Sequence, residues 1–399
     1  MILRNVRIWM MLVMISSSLV AQVTITKRVE TSKNPTLRVT SNRHAQTEAR
    51  LKKLLTFSDW FTVTTSRGAD YTLSVLKQTS SSISIQIQPR GSSPVVFTQS
   101  SKGGSLLYRK TADMVIRKVF SKYKTPGLLA SQVAFVGVRG AVKEIYVGFP
   151  DALSAAVKLT NNKSVSVEPS WSPNGSKLAY TLYGSKGINV ILVDMLRRNH
   201  RRISAHKGMN AGFTFSPDGR YGAVILSKDG KVELYRVNLR TYKATRLTNN
   251  NFEESSPVFS PDSKQILAVA NHRRVANLAL FNTATGKIKT LYPSWAECVS
   301  PDWSKVSNKI CFAKKMGKNY AIAMIDMNKP SAGVKILTKT AGNWEAPSWA
   351  PDGRHIICSR QYNGTSNLYM IDSWYGKTTP LATPRSISKS LLPTWSPVY

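Results

Sequence analysis

The sequence predicts an α/β N-terminal domain followed by an all-β six-bladed β-propeller closed by the C-terminal strand. The first observation is a recurrent aromatic, then a small residue and a turn. It reads Trp171-Ser172-Pro173-Asn174-Gly175, Phe215-Ser216-Pro217-Asp218-Gly219, Phe259-Ser260-Pro261-Asp262-Ser263, Trp303-Ser304, Trp349-Ala350-Pro351-Asp352-Gly353 and Trp395-Ser396-Pro397. The second is its spacing: the aromatics lie 44, 44, 44, 46 and 46 residues apart, and a fixed period of this length marks a propeller or a solenoid. The third is that the two ends complete each other. Gln132-Val133-Ala134-Phe135-Val136 reads as a second strand with no aromatic motif before it, and Trp395-Ser396-Pro397 ends a first strand with nothing after it. Joined, they make a sixth blade, and closing the ring removes the open sheet edges of a linear array.

The elements follow in chain order. Residues 1–21 read as a signal peptide: Arg4 and Arg7, an apolar stretch from Ile8 to Ile15, then Ser16-Ser17-Ser18-Leu19-Val20-Ala21, with cleavage expected after Ala21. An uncleaved anchor is the competing reading, although the apolar run is short for a span of about 20 residues. Residues 22–125 are expected to form a small α/β domain. Tyr71, Leu73 and Val75 alternate with polar residues, as do Ile83, Ile85 and Ile87, which is the period of a half-buried strand. Glu48 to Phe57 and Ser105 to Tyr123 carry apolar faces at helical spacing, with Lys and Arg expected to coat the other face of the longer helix. Pro126-Gly127 marks the junction, and residues 126–399 are expected to be the propeller.

Within each repeat the aromatic ends a first strand. The turn uses Pro to preset φ and Gly to accept positive φ. An apolar second strand follows, such as Lys177-Leu178-Ala179-Tyr180 or His355-Ile356-Ile357-Cys358. A third strand ends near Asp or Asn, and a fourth is marked by Ile203, Leu247, Leu291, Leu337 and Leu381. Four short antiparallel strands per repeat is one propeller blade.

Lys and Arg number 56 against 21 Asp and Glu, for a net charge of +35. Such an excess favours anionic partners. The densest basic run, Arg197-Arg198-Asn199-His200-Arg201-Arg202, falls between a third and a fourth strand, where a solvated hairpin loop accounts for it. No nucleic-acid motif accompanies the charge, and nucleic acid is not an expected partner. Cys298, Cys311 and Cys358 cannot all pair, and two lie in apolar strands; buried thiols are the simpler reading, with a disulfide as the alternative.

The sequence carries none of the common catalytic motifs. There is no Gly-x-Ser-x-Gly elbow, Walker loop, GxGxxG or EF-hand loop. His44, His200, His206, His272 and His355 have no metal-ligand spacing, and most read as solvated loop residues. Asp218, Asp262, Asp302 and Asp352 recur with the motif and read as turn-forming. No catalytic residue, cofactor or metal is expected; the reading is of a scaffold that binds.

Ala112-Asp113 in the long helix, followed by Gly127-Leu128-Leu129-Ala130-Ser131-Gln132-Val133-Ala134-Phe135-Val136, resembles the helix-to-propeller junction of the TolB family, exported propellers of the Tol–Pal envelope system. Gly68-Ala69-Asp70-Tyr71 is similar to the Gly-Ala-Asp that opens a strand in that family's first domain. Two features depart from the family pattern: the chain is far more basic, and Pro301-Asp302 precedes Trp303 instead of following it. The resemblance implies a periplasmic, non-catalytic adaptor, peripheral to the outer membrane and not integral to it. Its implied partner is a Pal-like peptidoglycan-associated lipoprotein, bound at one mouth of the propeller in support of outer-membrane integrity and constriction at division. Carried onto this chain, the partner-facing loops are those just before each first strand: Glu168; Met209, Asn210, Ala211 and Gly212; Glu254, Ser255 and Ser256; Trp344 and Glu345; and Leu392. Such loops join consecutive blades on a rigid scaffold, where function commonly resides. Trp344 is the expected anchor, with packing between blades as its competing role. The resemblance further implies that Gln22 to Lys33 is a movable segment able to reach a TolA-like inner-membrane partner; a plain edge strand around Val23 and Ile25 is the alternative. Two rival functions stay open. One is a channel hydrolase or lyase using Glu168, Glu254 and Glu345, read as equivalent loop positions; the other is a general binder of anionic envelope glycans.

Overall fold

The computed structural model describes residues 33–121, 127–272, 275–291 and 297–397, with the side chains of His272 and residues 289–291 left aside. The expected signal peptide, and the segment from Gln22 to Lys33 apart from Lys33 itself, lie outside the described residues.

The N-terminal part is one mixed sheet under two helices. Its strands are β1 (Thr36–Ser41), β2 (Thr62–Val63), β3 (Tyr71–Gln78), β4 (Ser82–Pro89) and β5 (Val95–Ser100), in the order β2-β1-β3-β4-β5. β1 runs parallel to β2 and β3, while β3, β4 and β5 are antiparallel neighbours. The alternating residues anticipated in β3 and β4 point their apolar set into one core: Leu73, Val75, Ile83, Ile85 and Ile87 meet Leu51, Leu55, Ala112 and Val115 of the helices. α1 spans Ala45–Phe57 and α2 spans Gly104–Val119. α2 therefore stops short of the Tyr123 expected from periodicity. Arg117 and Lys118 keep the expected basic outer face, while Arg109 departs from it and is buried. Its Nε and Nη2 donate to Asp151 at 2.7 and 2.9 Å, and its guanidinium lies 4.0 Å from the Phe149 ring centre.

The chain then enters a series of four-stranded antiparallel sheets. The first strands are Val165–Trp171, Asn210–Phe215, Glu254–Phe259, Cys298–Trp303, Asn343–Trp349 and Lys389–Trp395, each ending on the motif's aromatic. Three sheets stand alone by hydrogen bonding, each in sequence order. The other three groups share one hydrogen-bonded path, joined at the single pairs Lys143↔Val165 and Ser366↔Lys389. In that path Lys389–Trp395 pairs antiparallel with Val133–Arg139, from Lys389↔Val138 to Trp395↔Val133. The contact is reinforced by Gln132 N donating to Ser396 Oγ and Ser396 N to Gln132 O, both at 2.8 Å. Apolar side chains pack between successive sheets. Ala179, Val190 and Leu192 of one sheet, for example, meet Phe213, Phe215, Val224 and Tyr235 of the next.

The motif builds its turn as chemistry demands. Ser216 N bonds Tyr221 O at 2.8 Å, Gly219 N bonds Ser216 O at 2.9 Å, and Ser216 Oγ donates to Asp218 Oδ1 at 2.5 Å. The turn after Trp303, which lacks Pro and Gly, places Asn308 at φ 50° and ties it to the indole by a 2.9 Å bond from Trp303 Nε1. Of the four Asp residues read as turn-forming, Asp302 lies in a strand, while Asp352 caps its turn by accepting Arg354 N at 3.0 Å and is also buried and bonded to Trp60. The three cysteines are buried thiols, none of them in a disulfide. Among the described residues, no helix is long and apolar enough to cross a membrane.

The N-terminal sheet meets the propeller at the motif end of the strands. Asp113 Oδ1 and Oδ2 accept Leu129 N and Ala130 N at 2.9 and 2.8 Å, and a Cβ on Gly127 would fall 2.0 Å from the Asp113 carboxylate. Only glycine lets the chain pass that close. Trp60 Nε1 donates to Asp352 Oδ2 at 3.0 Å, and Lys377 Nζ to Asp59 Oδ1 at 2.8 Å.

Candidate functional site

Each first strand starts at the end of the molecule opposite these contacts. Its opening residues pair with the tips of the hairpins between second and third strands: Val165 faces Tyr183, Asn210 faces Leu226, and Asn343 faces Gln361. The loops between sheets and these hairpins therefore share one mouth, free of the N-terminal sheet.

Three residues before every aromatic, the first strand carries a residue with positive φ. They are Glu168 (54°), Gly212 (65°), Ser256 (49°), Ser300 (51°), Ala346 (50°) and Leu392 (46°). Each sits in a register shift, where two residues of the first strand oppose one of the second. These are β-bulges, which bend a strand and re-aim its side chains. Neighbouring bulges touch: Glu168 Oε2 accepts Gly212 N and Thr181 Oγ1, both at 2.8 Å, and a Cβ on Gly212 would lie 3.8 Å from Ser256 N. Five of the six are not glycine, although L-residues resist this conformation by about 1–2 kcal/mol. The expected site list contains four of them, Glu168, Gly212, Ser256 and Leu392; Ser300 and Ala346 were missed because nothing in their residue type announces positive φ.

The structure separates the remaining expected residues by exposure. Ser255 and Ser256 are exposed, and Glu168, Met209, Gly212, Glu345 and Leu392 are half-buried. Asn210, Ala211, Glu254 and Trp344 are buried, which corrects their assignment to a partner-facing surface. Asn210 organises its own loop. Its Oδ1 accepts Ser204 Oγ and His206 N, and its Nδ2 donates to His206 O and Gly208 O. Glu254 accepts Asn250 Nδ2 at 2.7 Å and Thr248 Oγ1 at 3.2 Å. Burial pushes its carboxyl up to about 7 against those bonds. Trp344 donates Nε1 to Thr340 O at 3.0 Å and packs edge-on to Tyr369, so the competing role, packing inside the propeller, is the one observed. Glu168, Glu254 and Glu345 are not equivalent either, standing three, five and four residues before their aromatics. They lie at three depths of three strands and do not form a matched carboxylate ring.

The hairpin tips were overlooked. Tyr183, Met316 and Tyr362 are exposed there, beside exposed Arg139, Lys186, Lys231 and Lys318. Arg360 stacks over Trp344, Tyr362 and Tyr369 at 5.2, 4.9 and 5.7 Å, bridging the buried indole to the exposed tip. The rim is thus basic and aromatic. Arg197 to Arg202 lies at the other end of the strands.

At the motif end the first strands enclose a cavity of about 360 Å³, lined among others by Thr214, Val258, Asp302, Ser348, Thr394 and Lys305. Lys305 occupies the place of the motif's proline. Its Nζ donates to Phe259 O at 2.6 Å, and surrounding protein lowers the amine to about 8 against the pull of Asp302. Asp302 Oδ2 accepts Trp349 N at 2.7 Å, so the carboxylate braces one first strand against the next.

Comparison with known proteins fits this geometry. Residues 123–399 match the family model described as the TolB beta propeller domain. The Tol-Pal system protein TolB of Francisella tularensis subsp. mediasiatica is 24% identical over 305 residues, covering 61% of this chain and 69% of that one. The crystal structure of TolB from Acinetobacter baumannii superposes with a TM-score of 0.79 at 20% identity, covering 92% of this chain and 97% of that chain. A chain of the nidogen/laminin complex shares the fold at a TM-score of 0.55 and 10% identity, covering 67% of this chain and 98% of that chain. The chain belongs to the TolB β-propeller family.

Proposed function

We propose that this protein is a non-catalytic periplasmic adaptor of a Tol–Pal system, binding a Pal-like peptidoglycan-associated lipoprotein at the open mouth of a six-bladed propeller. The observation that supports the reading is the mouth: inter-sheet loops and hairpin tips share the end of the strands that carries the bulges, while the N-terminal sheet occupies the other end. The relatives named as Tol-Pal system proteins support the same system here. On this reading residues 1–21 are a signal peptide, 22–125 an α/β domain and 126–399 the propeller. Six blades follow from grouping the strands in fours, and the pairing of Lys389–Trp395 with Val133–Arg139 supports closure by the C-terminal strand. Outer-membrane integrity and constriction at division would be served by this contact, and a TolA-like protein is a further partner for the N-terminal segment.

The partner surface comprises the accessible part of the mouth: Glu168, Met209, Gly212, Ser255, Ser256, Glu345 and Leu392, with the hairpin residues Tyr183, Arg360 and Tyr362. Asn210, Ala211, Glu254 and Trp344 support it from beneath. Calorimetric titration of the mature chain with the soluble domain of the organism's own Pal-like lipoprotein tests the reading. One-to-one binding is expected, weakened at least about tenfold by Ser255→Trp, whose bulk obstructs the mouth. The control Arg197→Glu, at the opposite end, leaves it unchanged. No heat of binding at about 100 μM, from a chain shown to be folded, would refute the proposal.

A further inference from the structure

Where the N-terminal sheet meets the propeller, three carboxylates and a histidine come together from distant parts of the chain. Asp59 follows α1, Asp352 lies in a motif turn, His355 opens the second strand His355–Tyr362, and Asp372 closes the third strand Thr365–Asp372. His355 is fully buried. It stands where the sequence places it, at the head of an apolar second strand. Its Nδ1 is held at 2.6 Å by Asp352 Oδ2.

Its Nε2 is buried and has no hydrogen-bond partner. A ring nitrogen of His355 and carboxylate oxygens of Asp59 and Asp372 lie within 4.8 Å of one another. Nδ1 is committed to Asp352, which leaves Nε2 as the ring nitrogen open to a further ligand. An orphaned buried nitrogen loses the full desolvation cost of the group, so its neighbourhood should supply a proton acceptor or an electron-pair acceptor.

Three cations face the three carboxylates: Arg354 pairs with Asp372, Lys377 with Asp59, and Lys335 Nζ donates to Ser373 O and Trp374 O beside Asp372. Arg354 is held by Asp372 and two indoles, while its Nη1 is buried with no hydrogen-bond partner. Its Nε and Nη2 donate to Asp372 at 3.1 and 2.6 Å, and its guanidinium is sandwiched 4.7 Å from Trp60 and 4.2 Å from Trp374. Lys377 is the weak member, largely exposed and reaching Asp59 from solvent.

We propose that Asp59, His355 Nε2 and Asp372 form a transition-metal site of the zinc class, clamping the N-terminal sheet to the propeller. One imidazole nitrogen and two carboxylate oxygens suit zinc, with water as a fourth ligand. A carboxylate on the other ring nitrogen is the usual device that fixes the tautomer of a metal-binding histidine, and Asp352 is placed to do this. Zinc bonds of about 2.0–2.2 Å require ligand atoms closer than 4.8 Å. Asp59, the least buried ligand, supplies the movement by releasing Lys377.

The test uses the mature, tag-free chain titrated with zinc alone, with cobalt(II) as a spectroscopic probe. Expected are one equivalent of zinc bound and the visible d–d band of a four-coordinate cobalt centre. Asp59→Asn should weaken binding by at least about 100-fold, more than loss of an outer-shell partner. Asn is a safe replacement because Asp59 has φ 53° and Asn tolerates positive φ well. Lys377→Met should strengthen binding by up to about fivefold, by removing a competing surface ion pair. Equal zinc binding by wild type and D59N would overturn the proposal, as would no saturable binding at about 100 μM zinc. A His355 found protonated by NMR at neutral pH, in a chain that binds no zinc, would overturn it too, by showing that a proton fills the place assigned to the metal.

Discussion

Removing the indole of Trp344 takes a fully buried ring out from beneath Arg360 and Tyr369 and leaves Thr340 O without its donor. Trp344→Ala should therefore cost about 3–5 kcal/mol of stability, read by chemical denaturation. A loss under about 1 kcal/mol would return Trp344 to the surface role its position suggested. Glu254 predicts a pH dependence. Its folded-state pKa of about 7 lies above the ordinary value of 4.5. The protonated form is thus favoured by the fold, and its stabilisation is fully present below about 4.5 and lost as pH rises through 7. Asp113, raised to about 7 by burial, titrates in the same window. Glu254→Gln should remove part of the decline between pH 5 and 8 and raise the melting temperature at pH 8. An unchanged slope would contradict this placement of the carboxyl. The sequence located both residues at the mouth by counting back from the aromatics, but a count along a strand carries no depth. Whether a side chain faces the mouth or the adjacent sheet is decided by the bulge, which the residue types conceal.

At the scale of the element, the turns were legible and the bulges were not. Pro-Asp-Gly names its own backbone geometry, and the structure repeats it wherever it occurs. The bulge residues are Glu, Gly, Ser, Ser, Ala and Leu, whose positive φ is imposed by the pairing around them. Ser256→Gly relieves that conformation and should be neutral or stabilising by up to about 1 kcal/mol. Gly212→Val places a β-branched side chain at φ 65° with its Cβ 3.3 Å from Pro257 Cδ, and should destabilise by more than about 2 kcal/mol. Thermal unfolding of the two variants reads the difference; equal effects would show that the bulges are not held under strain. The cluster at Asp59, His355 and Asp372 illustrates the other limit of sequence reading. Metal motifs are recognised by short spacings, and these three residues are brought together by the docking of the N-terminal sheet.

At the scale of the whole molecule, the period of 44 to 46 residues carried the propeller fold, because repetition reports long-range packing that local propensity does not. Under the proposed closure, deleting Lys389 to Tyr399 removes the first strand of the sheet begun by Val133 and exposes edges on both sides of the gap. The truncated chain should aggregate or lose cooperative unfolding, and an unaltered melting transition would refute closure by this strand. The basic charge has no single focus: it is dense at Arg197 to Arg202 on one end and distributed around the rim of the mouth on the other. Partner binding is proposed at the mouth and not at the densest charge. Hydrogen exchange of the chain, with and without the soluble domain of the proposed Pal-like partner, tests that assignment directly. Slowed exchange is predicted in residues 209–212, 254–256, 343–346 and 389–393 and in the hairpin tips at Tyr183 and Tyr362, with none at 197–202. Protection confined to Arg197–Arg202 or to the N-terminal sheet, with the mouth unchanged, would contradict the account.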